Sequence, residues 1–268
     1  MNTSDLLKIC IQVSREAGSL ILDMAQKPLH IDKKSTFDLV TNADKAANDF
    51  ITQKLLELCP DSQVMAEEGS TLGRGLLWIV DPIDGTTNYA RGIPHAAVSI
   101  GAFDTQRKEL LVGCVFNPFN NECFWASKNQ GAFLNDQPIH VSKISNLQDS
   151  IAASGYFNHE NLTYETSNLP ETYAFLKSCL GLRRNGAASL DLCWVAMGRF
   201  DIYWERGLHA WDVAAGALIV QEAGGKVTNY QGDSLDVFSG EILSSNSLLH
   251  EDSTRLLKTA KSYSKTAS

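Results

Sequence analysis

The sequence predicts an α+β fold for a single domain, and three features of its 268 residues support that class. Residues 4–27 and about 42–58 carry apolar side chains at helical spacing. From Ala96 to about Phe124, alternation and β-branched residues predict a meander of strands. The second half alternates helices with strands. We therefore expect one domain over residues 1–268, made of two intimate halves of about 1–145 and 146–268.

The first half is predicted to run from two helices into a series of strands. In the second helix, Ala47, Ile51 and Leu55 are available for a buried side, and Pro60 marks the end of the helix. Two short strands follow, "SQVMAE" and "LLWIVD", and each ends in an acidic residue. The meander comprises "AAVSIGAF", "ELLVGCVFNP" and "NECFWAS", and residues 131–140 predict a turn and another strand.

The second half is predicted to begin with the strand "SIAASG" and a helix over 171–180. The helix "AASLDLCWVAMG" and the strand "FDIYWERG" come next. The last predicted helix, "WDVAAGALIVQEAGG", is rich in small residues and almost uncharged, so it should pack inside the fold. Gly224 and Gly225 form its expected C-terminal stop.

Composition excludes several classes of protein. A net charge of −8 argues against a nucleic-acid-binding surface. No segment approaches the roughly 20 apolar residues that a membrane helix needs. The N-terminal stretch indicates an amphipathic helix rather than a signal peptide, and the six dispersed cysteines contain no CxxC pair. We therefore expect reduced thiols in the cytoplasm. The six histidines have no paired spacing, which argues against a zinc site.

The stretch "WIVDPIDGTTNYARG", residues 78–92, combines turn chemistry with two carboxylates. The run from Asp81 to Gly85 suits a turn, because proline presets φ, aspartate bonds nearby amides and glycine tolerates positive φ. A simple hairpin does not need the uncharged polar run of residues 86–88 that follows. The residues alone leave two interpretations open, a turn or an anionic pocket at the end of a strand.

Further acidic residues stand at the ends of predicted elements. Glu67 closes "SQVMAEE", Asp44 lies near the start of the second helix, and Asp212 starts the small-residue helix. Each of them alone is most often a helix cap or a partner of the helix dipole. Asp212 nevertheless opens a helix that should be internal, which favours the pocket interpretation.

Longer motifs resemble the inositol monophosphatase family. "WIVDPIDGTTNYARGIPHAAVSIG" and "WDVAAGALIVQEAGG" are similar to its two diagnostic motifs, and "DLVTNADKAAN" and "AEEGS" resemble its upstream acidic stretches in the same order. The similarity covers about residues 5–250. It implies an αβαβα layered sandwich of the inositol monophosphatase and fructose-1,6-bisphosphatase type. It also implies Mg²⁺-dependent hydrolysis of a small phosphorylated metabolite, inhibition by Li⁺ and a homodimer.

The resemblance also implies a metal-ligand set. Glu67, Asp81 and the carbonyl of Ile83 would hold a first Mg²⁺. Asp81, Asp84 and Asp212 would hold a second. Phosphate-monoester hydrolysis needs an in-line nucleophile and neutralised charge, and two metals roughly 3.5–4 Å apart can provide both. Mg²⁺ prefers oxygen ligands and keeps several waters, so a few carboxylates and one carbonyl suffice.

Catalytic and substrate-binding roles follow from the same resemblance. Asp44 and Thr86 match the pair that activates the attacking water, and Glu67 can align that water. The amides of Gly85 and Thr86, at a following helix start, would hold phosphate oxygens. The substrate-binding residues implied by the resemblance are Asp84, Gly85, Thr86, Gly186, Ala187, Ala188, Glu205 and Asp212.

Some assignments compete with simpler interpretations. Glu205 matches a position that contacts a substrate hydroxyl, whereas an isolated acid at a strand end is usually solvated. Ala187 lacks the hydroxyl common at its position in the family. Lys34 lies in what resembles the family's mobile loop near the metals, although an exposed lysine is the simpler interpretation.

The scaffold leaves the function itself open between alternatives. Inositol-1-phosphate is the first expectation, because Glu205 and the compact spacing favour a small polyol monophosphate. Fructose-1,6-bisphosphate, histidinol phosphate, 3′-phosphoadenosine 5′-phosphate and NADP are substrates of the same scaffold. Some bacterial relatives instead bind the transcription machinery or act in ribosome assembly.

Overall fold

The computed structural model describes residues 1–36, 38–71, 75–156, 162–164 and 167–263. Its helices are α1 (Thr3–Ala25), α2 (Asn42–Leu58), α3 (Thr86–Ala90), α4 (Leu169–Ser178), α5 (Ala188–Ala196), α6 (Ala210–Glu222) and α7 (His250–Tyr263). A short 3₁₀ helix covers Leu147–Asp149.

The strands of the first half are β1 (Ile31–Ser35), β2 (Asp38–Thr41), β3 (Gln63–Ala66), β4 (Gly69–Ser70), β5 (Leu76–Asp84), β6 (Ala97–Asp104), β7 (Glu109–Asn117), β8 (Glu122–Ser127), β9 (Ala132–Leu134) and β10 (Gln137–Ile139). Those of the second half are β11 (Ile151–Ser154), β12 (Gly181–Arg183), β13 (Ile202–Arg206), β14 (Lys226–Thr228) and β15 (Glu241–Ser245).

Most strands belong to two sheets. An eight-stranded sheet has the order β10-β9-β8-β7-β6-β5-β3-β4 and is antiparallel except between β3 and β5. A five-stranded sheet has the order β12-β11-β13-β15-β14, and β11 pairs in parallel with both of its neighbours. β1 and β2 form a separate antiparallel hairpin.

Helices alternate with the sheets in five layers. α1 and α2 pack together, with α1 against β6 and β7 and α2 against β5. α5 and α6 contact both sheets and form the middle layer. α4 and α7 pack on each other, with α4 against β12 and α7 against β15, on the outside of the smaller sheet. The predicted α+β class and the αβαβα sandwich are confirmed.

Buried apolar side chains fill each gap between layers. Ile51 and Trp78 belong to the cluster under the first helical layer. Phe124 and Ile219 belong to the cluster around the middle helices, and Trp204 to the cluster under α4 and α7. Burying a side chain of this size contributes about 1.5–3 kcal/mol relative to leaving it exposed. The cluster around the middle helices contacts both sheets, so these three apolar clusters together hold the five layers.

The small residues of α6 let this helix lie close to its neighbours. A Cβ atom added at Gly113 would lie 2.9 Å from the Cα of Ala215, and one added at Gly216 would lie 2.7 Å from the Cβ of Leu192. Larger side chains would force these elements apart. The expectation that α6 is internal is confirmed, and Gly224 follows its end with φ +88°.

The predicted helices and strands are confirmed, with differences at their ends. Residues 131–140 form a two-stranded hairpin, β9 and β10, rather than a single strand after a turn. The β1–β2 hairpin, the short strands β4 and β12 and the final elements β14, β15 and α7 were not predicted. Of the helices in the described part of the chain, none is both long and apolar enough to span a bilayer.

Candidate active site

The predicted turn after "LLWIVD" is a bulged continuation of β5. Asp81 pairs with Ser99 of β6, whereas Asp84 pairs with Ala97, so β5 contains one extra residue between the two pairs. In a regular strand, residues three apart point to opposite faces. A bulge re-aims side chains and is common beside active sites. It allows both carboxylates to face one pocket.

Three predicted metal ligands converge there. Carboxylate oxygens of Asp81, Asp84 and Asp212 lie within 4.8 Å of one another. Burial raises the pKa of all three side chains, and repulsion by neighbouring carboxylates raises it further at Asp81 and Asp212. Among the described residues, no lysine or arginine forms an ion pair with them, and the imidazole of His209 lies 3.8 Å from Asp212 Oδ2. This all-oxygen donor set, crowded with negative charge, fits a hard divalent cation such as Mg²⁺.

The backbone around the cluster fixes its acidic side chains. Asp81 Oδ1 accepts a hydrogen bond from the amide of Ile83 at 3.0 Å. Asp212 Oδ2 accepts from the amide of His209 at 2.6 Å, at the start of α6. Asp212 is therefore both a helix cap and a member of the cluster, so the simpler interpretation and the pocket interpretation both hold for it.

The pair expected to activate water is also formed. The hydroxyl of Thr86 lies 3.0 Å from Asp44 Oδ1 and 3.0 Å from the carbonyl oxygen of Ile83. Asp44 Oδ2 accepts from the amide and the hydroxyl of Thr41 at 2.7 and 2.6 Å, which closes a capping box on α2. Burial raises the pKa of Asp44, although these hydrogen bonds oppose the shift. The carboxylate is thus held in one orientation.

Glu67 lies beside the cluster but is paired with a lysine. Its Oε1 accepts from Lys34 Nζ at 2.8 Å, and Lys34 also pairs with Glu68. Burial disfavours the ammonium, yet hydrogen bonds to the two glutamates raise the pKa of Lys34. Glu67 also raises the pKa of Asp81 through its charge. The interpretation of Lys34 as a simple exposed lysine missed this pair.

Gly85 lies where the two halves of the chain meet. Its φ is +86°, and an added Cβ would lie 3.0 Å from the carbonyl oxygen of His95 and 3.1 Å from that of Gly186. Asn88 spans the same junction, since its Nδ2 donates to the carbonyl oxygens of His95 and Asn185, each at 2.8 Å. These contacts fix the expected substrate loop of Gly186, Ala187 and Ala188 against the Asp84 bulge.

The start of α5 supplies contacts that sequence reasoning missed. The amide of Ala188 donates to Asp84 Oδ1 at 3.2 Å. Ser189 donates to Asp84 Oδ2 with its amide at 2.7 Å and with its hydroxyl at 2.5 Å. The sole local signal was a hydroxyl residue in the first turn of a predicted helix, and such residues usually bond locally.

Glu205 is the penultimate residue of β13 and is partly buried rather than simply solvated. The hydroxyl of Tyr203 donates to its carboxylate. Burial raises the pKa of Glu205 to about 8, although the bond from Tyr203 lowers it. Glu205 also raises the pKa of Asp212 through its charge. The alternative of a solvated strand-end charge is wrong for this residue.

Comparison with known proteins agrees with this architecture. The sequence profile of the inositol monophosphatase family matches residues 2–264. The chain is 39% identical over 255 residues to an inositol-1-monophosphatase of Synechocystis sp., covering 94% of this chain and 88% of the relative. It is 38% identical over 249 residues to the Nus factor SuhB of Pseudomonas aeruginosa, covering 90% and 91%.

Among solved structures, the extragenic suppressor protein suhB from Bartonella henselae matches with a TM-score of 0.89 and 35% identity. That match covers 94% of this chain and 98% of the other. The profile, the relatives and the fold agree over nearly the whole length, and the chain belongs to the inositol monophosphatase family of phosphatases.

Proposed function

We propose that the chain hydrolyses a small phosphate monoester with Mg²⁺, and that inositol-1-phosphate is its preferred substrate. The observation that carries the proposal is the convergence of Asp81, Asp84 and Asp212 within 4.8 Å, with no lysine or arginine of the described chain paired to them. Structural carboxylates are rarely placed so close together in a buried pocket, because each raises the pKa of its neighbours. A bound cation removes that repulsion.

The ligand assignments of the metals are part of the proposal. Glu67, Asp81 and the carbonyl of Ile83 would hold one Mg²⁺, and Asp81, Asp84 and Asp212 the other. When bound, these ions neutralise phosphate charge and lower the pKa of water at the site. Glu67 would exchange its contact with Lys34 for one with the metal.

The chain's own residues would handle the proton of the attacking water. Thr86 donates its hydroxyl proton to Asp44 at 3.0 Å, which leaves its oxygen free to accept a hydrogen bond from water. Asp44 cannot rotate away, because Thr41 holds its other oxygen. This arrangement would orient the water without a covalent nucleophile on the protein.

The alcohol portion of the substrate would lie between the Gly186–Ala188 loop and Glu205. Gly85 allows the phosphate to approach the backbone closely, and the first amides of α3 have no partner within that helix. The Glu205 carboxylate, which the buried Tyr203 hydroxyl orients, offers a hydrogen-bond acceptor to a ring hydroxyl. This acceptor supports a polyol monophosphate over an apolar phosphate ester.

Properties of the whole protein complete the proposal. We treat residues 1–268 as one phosphatase domain, since α6 contacts both sheets. A homodimer is supported by apolar side chains exposed along α4 and just after it, namely Leu169, Tyr173, Leu176 and Leu180. The six free cysteines support a reducing, cytoplasmic compartment. We also propose inhibition by Li⁺.

A second function, binding to the transcription machinery, is favoured by the 38% identity to a Nus factor SuhB. The two functions make different demands on the metal site. If the chain acts as a phosphatase, Asp84→Asn abolishes its function together with turnover. If it acts as a binding protein, the same variant still binds its partner.

A phosphate-release panel tests the proposal directly. The purified chain is assayed with Mg²⁺, with and without Li⁺, on inositol-1-phosphate, fructose-1,6-bisphosphate, histidinol phosphate, 3′-phosphoadenosine 5′-phosphate and NADP. We expect the highest kcat/KM on inositol-1-phosphate, with loss of turnover in Asp84→Asn. Turnover on none of them would overturn the phosphatase proposal, and a better substrate among the others would overturn the choice of inositol-1-phosphate.

A further inference from the structure

The carboxylate of Asp84 is held from across the fold by the first turn of α5. Asp84 lies in the bulged end of β5 and is 6% exposed, whereas Ser189 is fully buried and 105 residues further along the chain. We infer that the Ser189 hydroxyl is a positioning group for Asp84, which aims one carboxylate oxygen of Asp84 at the proposed metal pocket. This inference rests on the proposed Mg²⁺ site.

The two oxygens of Asp84 have different surroundings. Oδ2 accepts two short bonds, from the amide and the hydroxyl of Ser189 at 2.7 and 2.5 Å. Oδ1 accepts one longer bond, from the amide of Ala188 at 3.2 Å. Because a carboxylate oxygen has about two lone-pair sites, Oδ2 is saturated and Oδ1 keeps one site open. Oδ2 is thus the anchor and Oδ1 the atom available to a cation.

The hydroxyl is the part of this anchor that depends on residue type. Backbone amides at the start of a helix have no intrahelical partner and are present with any non-proline residue. A serine hydroxyl within a helix commonly bonds the carbonyl four residues earlier. That of Ser189 instead bonds Asp84 in the other half of the chain. Replacing it would leave Oδ2 with a single donor and let the carboxylate turn.

Groups that orient metal ligands typically change metal affinity or activity by about 10–100-fold when removed. Ser189→Ala removes the hydroxyl and keeps both amides, and Ser189→Thr restores a hydroxyl. Ser253→Ala is the matched control, since Ser253 is equally buried and donates only to the carbonyl of Leu249. Calorimetric titration of each metal-free protein with Mg²⁺ measures the dissociation constant without any substrate.

We expect Ser189→Ala to weaken Mg²⁺ binding about 10–100-fold, Ser189→Thr to restore it to within about threefold, and Ser253→Ala to leave it unchanged. The kcat of Ser189→Ala should recover at saturating Mg²⁺, with KM for the substrate unaltered.

Mg²⁺ affinity of Ser189→Ala within about twofold of wild type, or an equal loss in the threonine variant, would overturn the inference. Failure of Ser189→Ala to fold would also overturn it, by assigning the hydroxyl to stability. A wild-type chain that binds no Mg²⁺ would refute the metal site itself, whereas binding without phosphate release would refute only the phosphatase proposal.

Discussion

Neutralising Asp81 should make the metal-free protein more stable while destroying its proposed activity. Asp81 is 2% exposed, and its carboxylate lies within 4.8 Å of the carboxylate oxygens of Asp84 and Asp212. Asparagine keeps the side-chain oxygen that accepts the hydrogen bond from the amide of Ile83. Asp81→Asn therefore removes charge repulsion without removing this bond.

The size of the effect follows from the distance. Two unit charges 4.8 Å apart repel by about 3.5 kcal/mol at an effective dielectric constant of about 20. Because burial and neighbouring carboxylates raise the pKa values of Asp81 and Asp212, a bound proton would relieve part of this repulsion. We therefore expect Asp81→Asn to raise the free energy of unfolding of the metal-free protein by about 1–3 kcal/mol at pH 8.

The gain should depend on pH. Because the pKa of Asp81 is raised on folding, the folded state binds its proton more tightly than the unfolded state does. The stability of the metal-free wild type therefore falls as the pH rises from the ordinary aspartate value of about 3.9 through the raised pKa. The asparagine variant lacks this loss, so its advantage should grow with pH.

The assay is urea unfolding in chelator, followed by circular dichroism at pH 5 and pH 8. Asp236→Asn is the matched control, because exposed Asp236 accepts from the amide of Phe238 at 3.0 Å with the same two-residue spacing. It should change stability by no more than about 0.5 kcal/mol. Comparing variants at each pH cancels other titrating groups, including His250, whose pKa burial lowers to about 4.

Two results would refute this reasoning about the cluster. Asp81→Asn could leave the metal-free protein no more stable at pH 8, which would mean that the three carboxylates do not repel. The gain could also be equal at pH 5 and pH 8, which would assign it to packing rather than charge. In saturating Mg²⁺ the order should reverse, because the wild type gains more from bound metal.

Further predictions concern metal, substrate and backbone. Activity should vanish in excess chelator, return when Mg²⁺ is added and return only poorly with Ca²⁺, because the looser coordination of Ca²⁺ relaxes in-line geometry. Full turnover in chelator would contradict this prediction. Glutamine resembles protonated glutamate, and the pKa of Glu205 is about 8. Glu205→Gln should thus lower kcat/KM for inositol-1-phosphate about ten- to a hundredfold at pH 9, less at pH 7, and change little on a phosphate ester without ring hydroxyls. Equal losses on both substrates would assign Glu205 to the scaffold. Gly85→Ala should destabilise the protein more than Gly92→Ala, by roughly 1–3 kcal/mol in urea unfolding. Both positions have positive φ, but of the two only Gly85 has carbonyl oxygens within 3.1 Å of an added Cβ. Equal effects would show that the junction tolerates a methyl group.

Local chemistry determined much of this protein from the sequence alone. Helical spacing, β alternation and the glycines after α6 depend on neighbouring residues, so they predict the elements before any fold is known. The small residues of α6 likewise predict an internal helix. The acidic residues at element ends left a turn and an anionic pocket both open, and the resemblance to the inositol monophosphatase family implied which carboxylates meet.

Tertiary structure decided what depends on register and on contacts between distant segments. The bulge between Asp81 and Asp84 arises only when β5 pairs with β6. The bonds from Lys34 to Glu67 and from Ser189 to Asp84 join residues 33 and 105 positions apart. The residue type sets which hydrogen bonds a side chain can donate or accept, but it does not set the distant partner. The packing of the layers determines that partner, because a buried polar group must be hydrogen-bonded to a group that the fold brings next to it.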